Sequence, residues 1–477
     1  MPANSVSASR PSNPSGAPWR AVVIALVIAE LAAGLETTLM FAALPTALKQ
    51  AGHPAQVGLL VTGYLLVSAA AAAVCGRLGD IFGRRRVLLV TLALATGGSV
   101  LSAFSPDLTW IIVGRSIQGL AGAVLPLCYG LIRECVPAEK APMSIGIVSG
   151  ANAFSAAMGF VIGGIIVDVF RWQDIFSCSA ILAAVGLIAC ALMIPVSRPQ
   201  PFEGKSDILG GLLFSPAVAL AMWGIALMQH AKTGSAEPWL WIASGCVLFL
   251  IWALHELRQT NPLIDVRLLG NRRILAGNLG SVCASLGALQ VLLVFPMLLQ
   301  QPVWTGVGFG VTATLTGLLK LPSNVASILG ASWGGALCGR IDSRRVMIGA
   351  AISTLLAWGW LWAEHDVLWL TVVLVCFSSA GFTTLFTSVI NIVVSTAPAD
   401  RVSEATAMTA TFRTIAQSVG SQIVTMLFAS ELIRRGTGPG YPSPAAHDHV
   451  FAYMTIASFG ALLAALWMPC GQSRALK

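Results

Sequence analysis

The chain has 477 residues, of which 56% are hydrophobic and only 10% charged, with a mean hydropathy of +0.80. A water-soluble fold could not cover that much apolar surface, so the bilayer is the solvent. The net charge of +8 does not point to nucleic acid, because the basic residues sit in short clusters between apolar stretches.

Residues 1–18, rich in Ser, Pro and Asn, read as a disordered cytoplasmic tail, and the apolar segment from Trp19 is too long for a signal peptide. Apolar runs set against polar breaks then give about fourteen spans. The first six run from Arg20 to Ala43, Val57 to Cys75, Val87 to Phe104, Leu108 to Ile132, Met143 to Val167 and Ile175 to Pro195. Two follow, from Ile208 to Met228 and Trp239 to Leu257. Six more run from Ile274 to Leu299, Val311 to Leu337, Val346 to Ala363, Val367 to Val394, Val402 to Phe428 and Val450 to Trp467. The domain reading is an N-terminal half (19–200), two extra helices with linkers (201–260), a C-terminal half (261–470) and a cytoplasmic tail (471–477).

Loop charge orients the spans. Arg77, Arg84, Arg85 and Arg86 follow the second, Arg272 and Arg273 precede the ninth, and Arg340, Arg344 and Arg345 follow the tenth. These loops, and with them both termini, are expected in the cytoplasm. The opposite loops carry little more than Lys49, Arg171, Lys232, Arg434 and Arg435. A shortened echo of Cys75–Val87 recurs at Cys338–Val346, eight spans later. An even offset preserves orientation, so the halves are expected to be parallel repeats about an axis along the membrane normal.

Residues Gly76 to Arg86 read GRLGDIFGRRR, and this stretch resembles the signature between the second and third helices of the major facilitator superfamily. Glycines permit a tight turn, while Asp80, Arg84 and Arg85 offer charge-assisted pairs, so Gly76, Asp80, Gly83, Arg84 and Arg85 form a candidate conformational gate. A positive-inside anchor explains the arginines alone, not Asp80 or the glycine spacing.

Further resemblance covers nearly the whole chain and is to the fourteen-helix drug:proton antiporter branch. It rests on Leu35-Glu36-Thr37-Thr38 through Ala43-Leu44-Pro45, with Glu where Asp is usual, and on Arg115-Ser-Ile-Gln-Gly119 and Pro262-Leu-Ile-Asp265. In the fifth span, Gly150, Gly159, Gly163 and Gly164 resemble the antiporter packing motif, but Phe160 stands where that pattern has proline. The resemblance implies an all-α integral membrane protein of the major facilitator fold, with two extra helices between two six-helix parallel repeats. It also implies proton-coupled export; the missing kink at Phe160 weakens the implied direction.

Ionisable groups inside hydrocarbon are costly and usually face a cavity or a partner. Glu30 lies roughly 15 Å into the first span at 1.5 Å per residue, and Glu36 stands higher, about 120° around the helix. A carboxyl shielded from water can be loaded with a proton from one side and emptied to the other, which makes Glu36 the expected carrier and Glu30 its substitute. A structural carboxylate capped by Thr37 or Thr38 is the plainer reading. Arg115 lies at a depth compatible with Glu36 and is a candidate switching partner, or else an Arg bonded to backbone carbonyls.

Lys320 and Arg413 are basic groups in apolar surroundings; Lys320 could bind an anion or neutralise Glu30 or Glu36, and Arg413 could snorkel. Tyr64, Gln118, Phe295 and Phe386, with Lys320, are candidates for a substrate cavity, and Trp223 is a further aromatic of this kind.

The six histidines are dispersed and the ten cysteines scattered, so neither catalytic chemistry, metal nor cofactor is expected. The best reading is a transporter of small amphipathic molecules driven by protons, monomeric, in a bacterial inner membrane. Two alternatives are an organic-anion transporter, including uptake, and a ligand-binding receptor of the same fold.

Overall fold

The computed structural model describes residues 19–51, 54–137, 139–196, 208–227, 235–259, 266–398, 402–435 and 440–469. The tails at 1–18 and 471–477 and the Pro262–Asp265 motif lie outside them. Among the described residues the chain is helical apart from one short hairpin.

The first helices are α1 (Trp19–Ala51), α2 (Pro54–Phe82), α3 (Arg84–Phe104), α4 (Leu108–Gln118), α5 (Val124–Cys135), α6 (Ala141–Val169) and α7 (Asp174–Met193). A pair follows, α8 (Ile208–Leu227) and α9 (Glu237–Arg258). The C-terminal set comprises α10 (Arg272–Leu286), α11 (Val291–Gln300), α12 (Ala313–Cys338), α13 (Ser343–Ala363), α14 (Leu368–Thr396), α15 (Val402–Ser430) and α16 (Pro444–Trp467). Strands β1 (Leu432–Ile433) and β2 (Tyr441–Pro442) pair antiparallel between α15 and α16.

Runs of Leu, Ala, Val and Ile become helices because a helix satisfies its backbone groups without water. Ten helical segments among the described residues are long and apolar enough to cross a membrane by length and composition. The helices bearing Lys320 and Arg413, α12 and α15, are not among the ten.

Three expectations about continuity are corrected. Residues Gly76 to Phe82 do not form a loop but extend α2; the turn is confined to Gly83, whose φ of 93° suits a residue without Cβ. The fourth span is broken by a 3-10 turn at Gly119–Ala123, where the chain presses on α2 backbone near Tyr64 and Ser68. The ninth breaks at Gly287 and Ala288–Gln290, where the buried Gln290 amide donates to the carbonyls of Ser285 (2.8 Å) and Gln417 (3.0 Å). Both breaks lie at buried positions, and local apolarity does not reveal them.

Arg84, at the start of α3, donates to the carbonyl of Gly130 on α5, and Arg85 donates to that of Ala191 on α7. These ends define one face of the molecule, here the loop face. Arg273 pairs with Asp342 at 3.2 Å in the corresponding region of the C-terminal set, and Asp342 also caps α13.

Contacts between the N- and C-terminal sets gather toward the opposite, far face, where α6 packs on α12, α2 on α15 and α1 on α11. Thr62 donates to Gln422 at 3.0 Å, Gln300 donates to the Ala42 carbonyl at 3.2 Å, and the Asp168 carboxylate accepts from the backbone amides of Ala313 (3.1 Å) and Thr314 (2.7 Å). The apolar core agrees: one cluster spans both sets, including Leu39, Phe160, Phe295 and Val424. A second, including Leu26, Leu88 and Leu131, belongs to the N-terminal set alone.

Candidate functional site

Helix α1 carries two buried acids, Glu30 and Glu36, and α2, α3 and α4 surround Glu36; a further buried acid, Glu256, lies on α9. Its Oε1 accepts from Ser99 Oγ on α3 at 3.0 Å. Gln118 on α4 donates from Nε2 to Ser99 Oγ at 2.7 Å and accepts at Oε1 from Arg115 Nη1 at 2.9 Å. Arg115 Nη1 also donates to the main-chain carbonyl of Glu36 at 3.0 Å, and its guanidinium lies 4.1 Å from the centroid of the Tyr64 ring. The Tyr64 hydroxyl and Thr37 Oγ1 are 2.7 Å apart. Glu36, Ser99, Arg115, Gln118 and Tyr64 are all buried, so a buried polar network links four helices.

Gln118 and Tyr64, expected to line a substrate cavity, thus stand within the network around Glu36. Arg115 meets the Glu36 backbone rather than its carboxylate. The guanidinium bonds a carbonyl and an amide oxygen and lies over an aromatic face, while the carboxyl group accepts from Ser99.

Glu30 lies apart. Its Oε1 accepts from Asn152 Nδ2 on α6 at 2.5 Å, while Oε2 is buried without a hydrogen-bond partner. The two carboxyl groups of α1 therefore have separate environments, in keeping with their offset around the helix.

On the C-terminal side, buried Lys320 of α12 places Nζ 5.4 Å from the Phe295 centroid on α11. Among the described residues it forms no ion pair with Glu30 or Glu36. Arg413 of α15 places its guanidinium 4.9 Å from the Phe386 centroid on α14, and Phe386 stacks on Phe382. Trp223 is corrected: at 48% exposure on α8 it faces outward, where an apolar ring needs no ligand.

The gate motif is only partly described. Gly76 and Asp80 are placed on α2, but the Asp80 side chain lies outside the described residues. Gly83, Arg84 and Arg85 sit at the loop face as given above.

The fifth-span glycines separate. Gly159 and Gly163 pack against α1 at Thr38 and Leu39, and Gly164 packs against Ala313 of α12. At Gly150 the surroundings are open, and a Cβ added there would meet nothing within 4 Å. Phe160 is buried, stacks on Phe41, and turns its carbonyl toward Gly317 on α12, where a Cβ would stand 2.5 Å away.

Sequence reasoning missed Ser99, Asn152 and Asp168. Asn152 had a signal, being the one amide side chain in its helix and therefore costly without a partner. Also missed was a cleft of about 140 Å³ at the far face, bounded by α1, α11, α15 and the hairpin and distinct from the Glu36 network. Among the described residues no group of three or more His, Cys, Asp or Glu could hold a metal.

A bundle of long apolar helices with buried charged groups at its centre defines a multi-pass membrane protein. The profile of the Major Facilitator Superfamily matches residues 26–421, so the chain belongs to that family of transporters and is not an enzyme.

It is 26% identical over 422 residues to a tetracenomycin C resistance and export protein of Streptomyces glaucescens, covering 87% of this chain and 77% of that one. It is 27% identical over 345 residues to a probable actinorhodin transporter of Streptomyces coelicolor, covering 70% of this chain and 58% of that one. Its fold resembles a partially occluded, inward-open structure of the xylose transporter XylE from E. coli. The TM-score is 0.61 at 15% identity, over 94% of this chain and 97% of that one.

Proposed function

We propose that this transporter exports small amphipathic compounds in exchange for protons. The observation that carries the reading is the buried network in which Glu36 is held by Ser99 while Arg115 touches its backbone. A carboxyl group so placed can change protonation without losing its supports, and Arg115 can bias the balance between conformations. Glu30, with one oxygen unpartnered, is the second proton site.

Alternating access follows from rocking of two six-helix halves, with α8 and α9 as extra helices, giving fourteen crossings when α4–α5 and α10–α11 each count as one. The broken rods and the echo at Cys338–Val346 support this division. Far-face contacts through Thr62, Gln300 and Asp168 support a state open toward the loop face. Gly76, Asp80, Gly83, Arg84 and Arg85 form the gate on that face, and Phe295, Phe386 and Lys320 line the substrate path with Tyr64 and Gln118. The protein works as a monomer in the cell (inner) membrane with both termini cytoplasmic. The names of the two Streptomyces relatives support export of a lipophilic cargo.

Reconstitution into liposomes with a trapped pH dye tests the reading. Cationic, neutral or anionic lipophiles should evoke proton movement in the wild type and not in Glu36→Gln. Equal proton flux in the variant overturns the assignment of Glu36.

A second reading, proton-linked transport of organic anions including uptake, is favoured by Lys320, whose ammonium has Phe295 but no carboxylate among the described residues. Signals from organic acids alone, lost in Lys320→Met, would replace the first reading by this one. Measurable binding without flux would make the chain a receptor.

A further inference from the structure

The far-face cleft shares no lining residue with the Glu36 network, and its chemistry is different. One wall is apolar, with Leu44, Met297 and Phe428. Its rim carries two cations from distant parts of the sequence, Lys49 at the end of α1 and Arg434 just after β1. Tyr441 of β2 completes the rim, with its ring 5.7 Å from Lys49 Nζ and edge-on to Trp304 at 5.5 Å. Neither Lys49 nor Arg434 forms an ion pair among the described residues, and the nearby Glu431 carboxylate is engaged by Ser443 at 3.0 Å.

Two cations over an apolar floor, one already resting on an aromatic ring, make a site for a molecule with one anionic group and a flat apolar body. The geometry points to a binding site for aromatic carboxylates or sulfonates in the cleft formed by Lys49, Arg434, Tyr441 and Phe428. The anionic group sits between Lys49 and Arg434, and the ring system lies against Phe428, Met297 and Leu44. A lipid phosphate offers the same charge, so lipid composition enters the test. The site does not depend on the transport reading, because binding is measured without flux.

The full chain in nanodiscs of zwitterionic lipid is titrated calorimetrically with 2-naphthoate and with neutral 2-naphthamide. Naphthoate should bind more tightly than the amide, and Lys49→Gln and Arg434→Gln should each weaken it about tenfold while leaving the amide unchanged. Added phosphatidylglycerol that displaces naphthoate from the wild type would assign the site to lipid head groups; no displacement would assign it to soluble acids. Thermal unfolding of each variant confirms that it is folded, and the conservative pair Lys49→Arg and Arg434→Lys should restore binding if either neutral variant unfolds. Equal affinity for acid and amide, or no binding of the acid, overturns the proposal. So does naphthoate binding that survives both neutral substitutions and disappears in Lys320→Met, which would move the anion to the centre of the bundle.

Discussion

Arg115 donates to the main-chain carbonyl of Glu36 at 3.0 Å, while the Glu36 carboxyl group accepts from Ser99 rather than from the guanidinium. The arginine therefore holds the helix that bears the acid, and on the proposed antiport reading the acid is left free to exchange its proton. A direct ion pair would tie each protonation change to breaking a buried charge pair, which is strongly destabilising.

Ser99→Ala removes the donor to Glu36 and an acceptor for Gln118. The expected loss is about 1–3 kcal/mol of stability, the usual penalty when a buried polar group is left unpaired. Chemical or thermal unfolding in detergent measures it. Unchanged stability would mean that the network is not held through Ser99.

Asp168→Asn keeps the shape of the cap on α12 but removes its charge from a helix start. A weakening of about 1 kcal/mol is expected, enough to change the ratio of closed to open far face about fivefold. Spin labels at Phe170 and Val303, both exposed near that face, report the distance distribution. A distribution identical to that of the wild type would rule out a latching role.

Gly317→Ala drives a methyl group into the carbonyl of Phe160 and is expected to cost about 1–3 kcal/mol by overpacking. Gly150→Ala, by contrast, meets open space and should stabilise its helix by about 0.5–1 kcal/mol. Opposite shifts in melting temperature for the two variants test this division among glycines that look alike in sequence.

Lys320→Met replaces a buried ammonium by an apolar chain of similar length. Flux of carboxylated substrates should fall at least about tenfold, as expected when a desolvated charge partner is removed, while neutral substrates are spared. Equal loss for both classes would make Lys320 a structural group.

Much of the bundle was legible because hydrophobic runs of membrane length leave the backbone few alternatives, and the acids of α1 stood out because charge is rare there. The breaks at Gly119–Ala123 and Ala288–Gln290 were hidden, since they depend on close approach to α2 and on the Gln290 side chain rather than on local polarity. Ser99 was silent for a related reason. A serine in a helix ordinarily bonds its own turn, as this one does to Ala95, and nothing local announces its second bond to Glu36. Asp168 falls just past the end of the fifth span, and nothing local announces its partners, which are amides about 145 residues further along the chain.

The hairpin between α15 and α16 reaches both sets of helices: Tyr441 lies under Lys49 of α1, and the Pro442 carbonyl accepts from Gln301 at 2.8 Å. Leu432 and Arg434 on the same hairpin are exposed. An antibody fragment raised against this epitope would grip the seam from outside the bundle without entering it. It would arrest the molecule in one posture, and it would add a rigid mass by which a chain with so little polar surface can be aligned in electron micrographs.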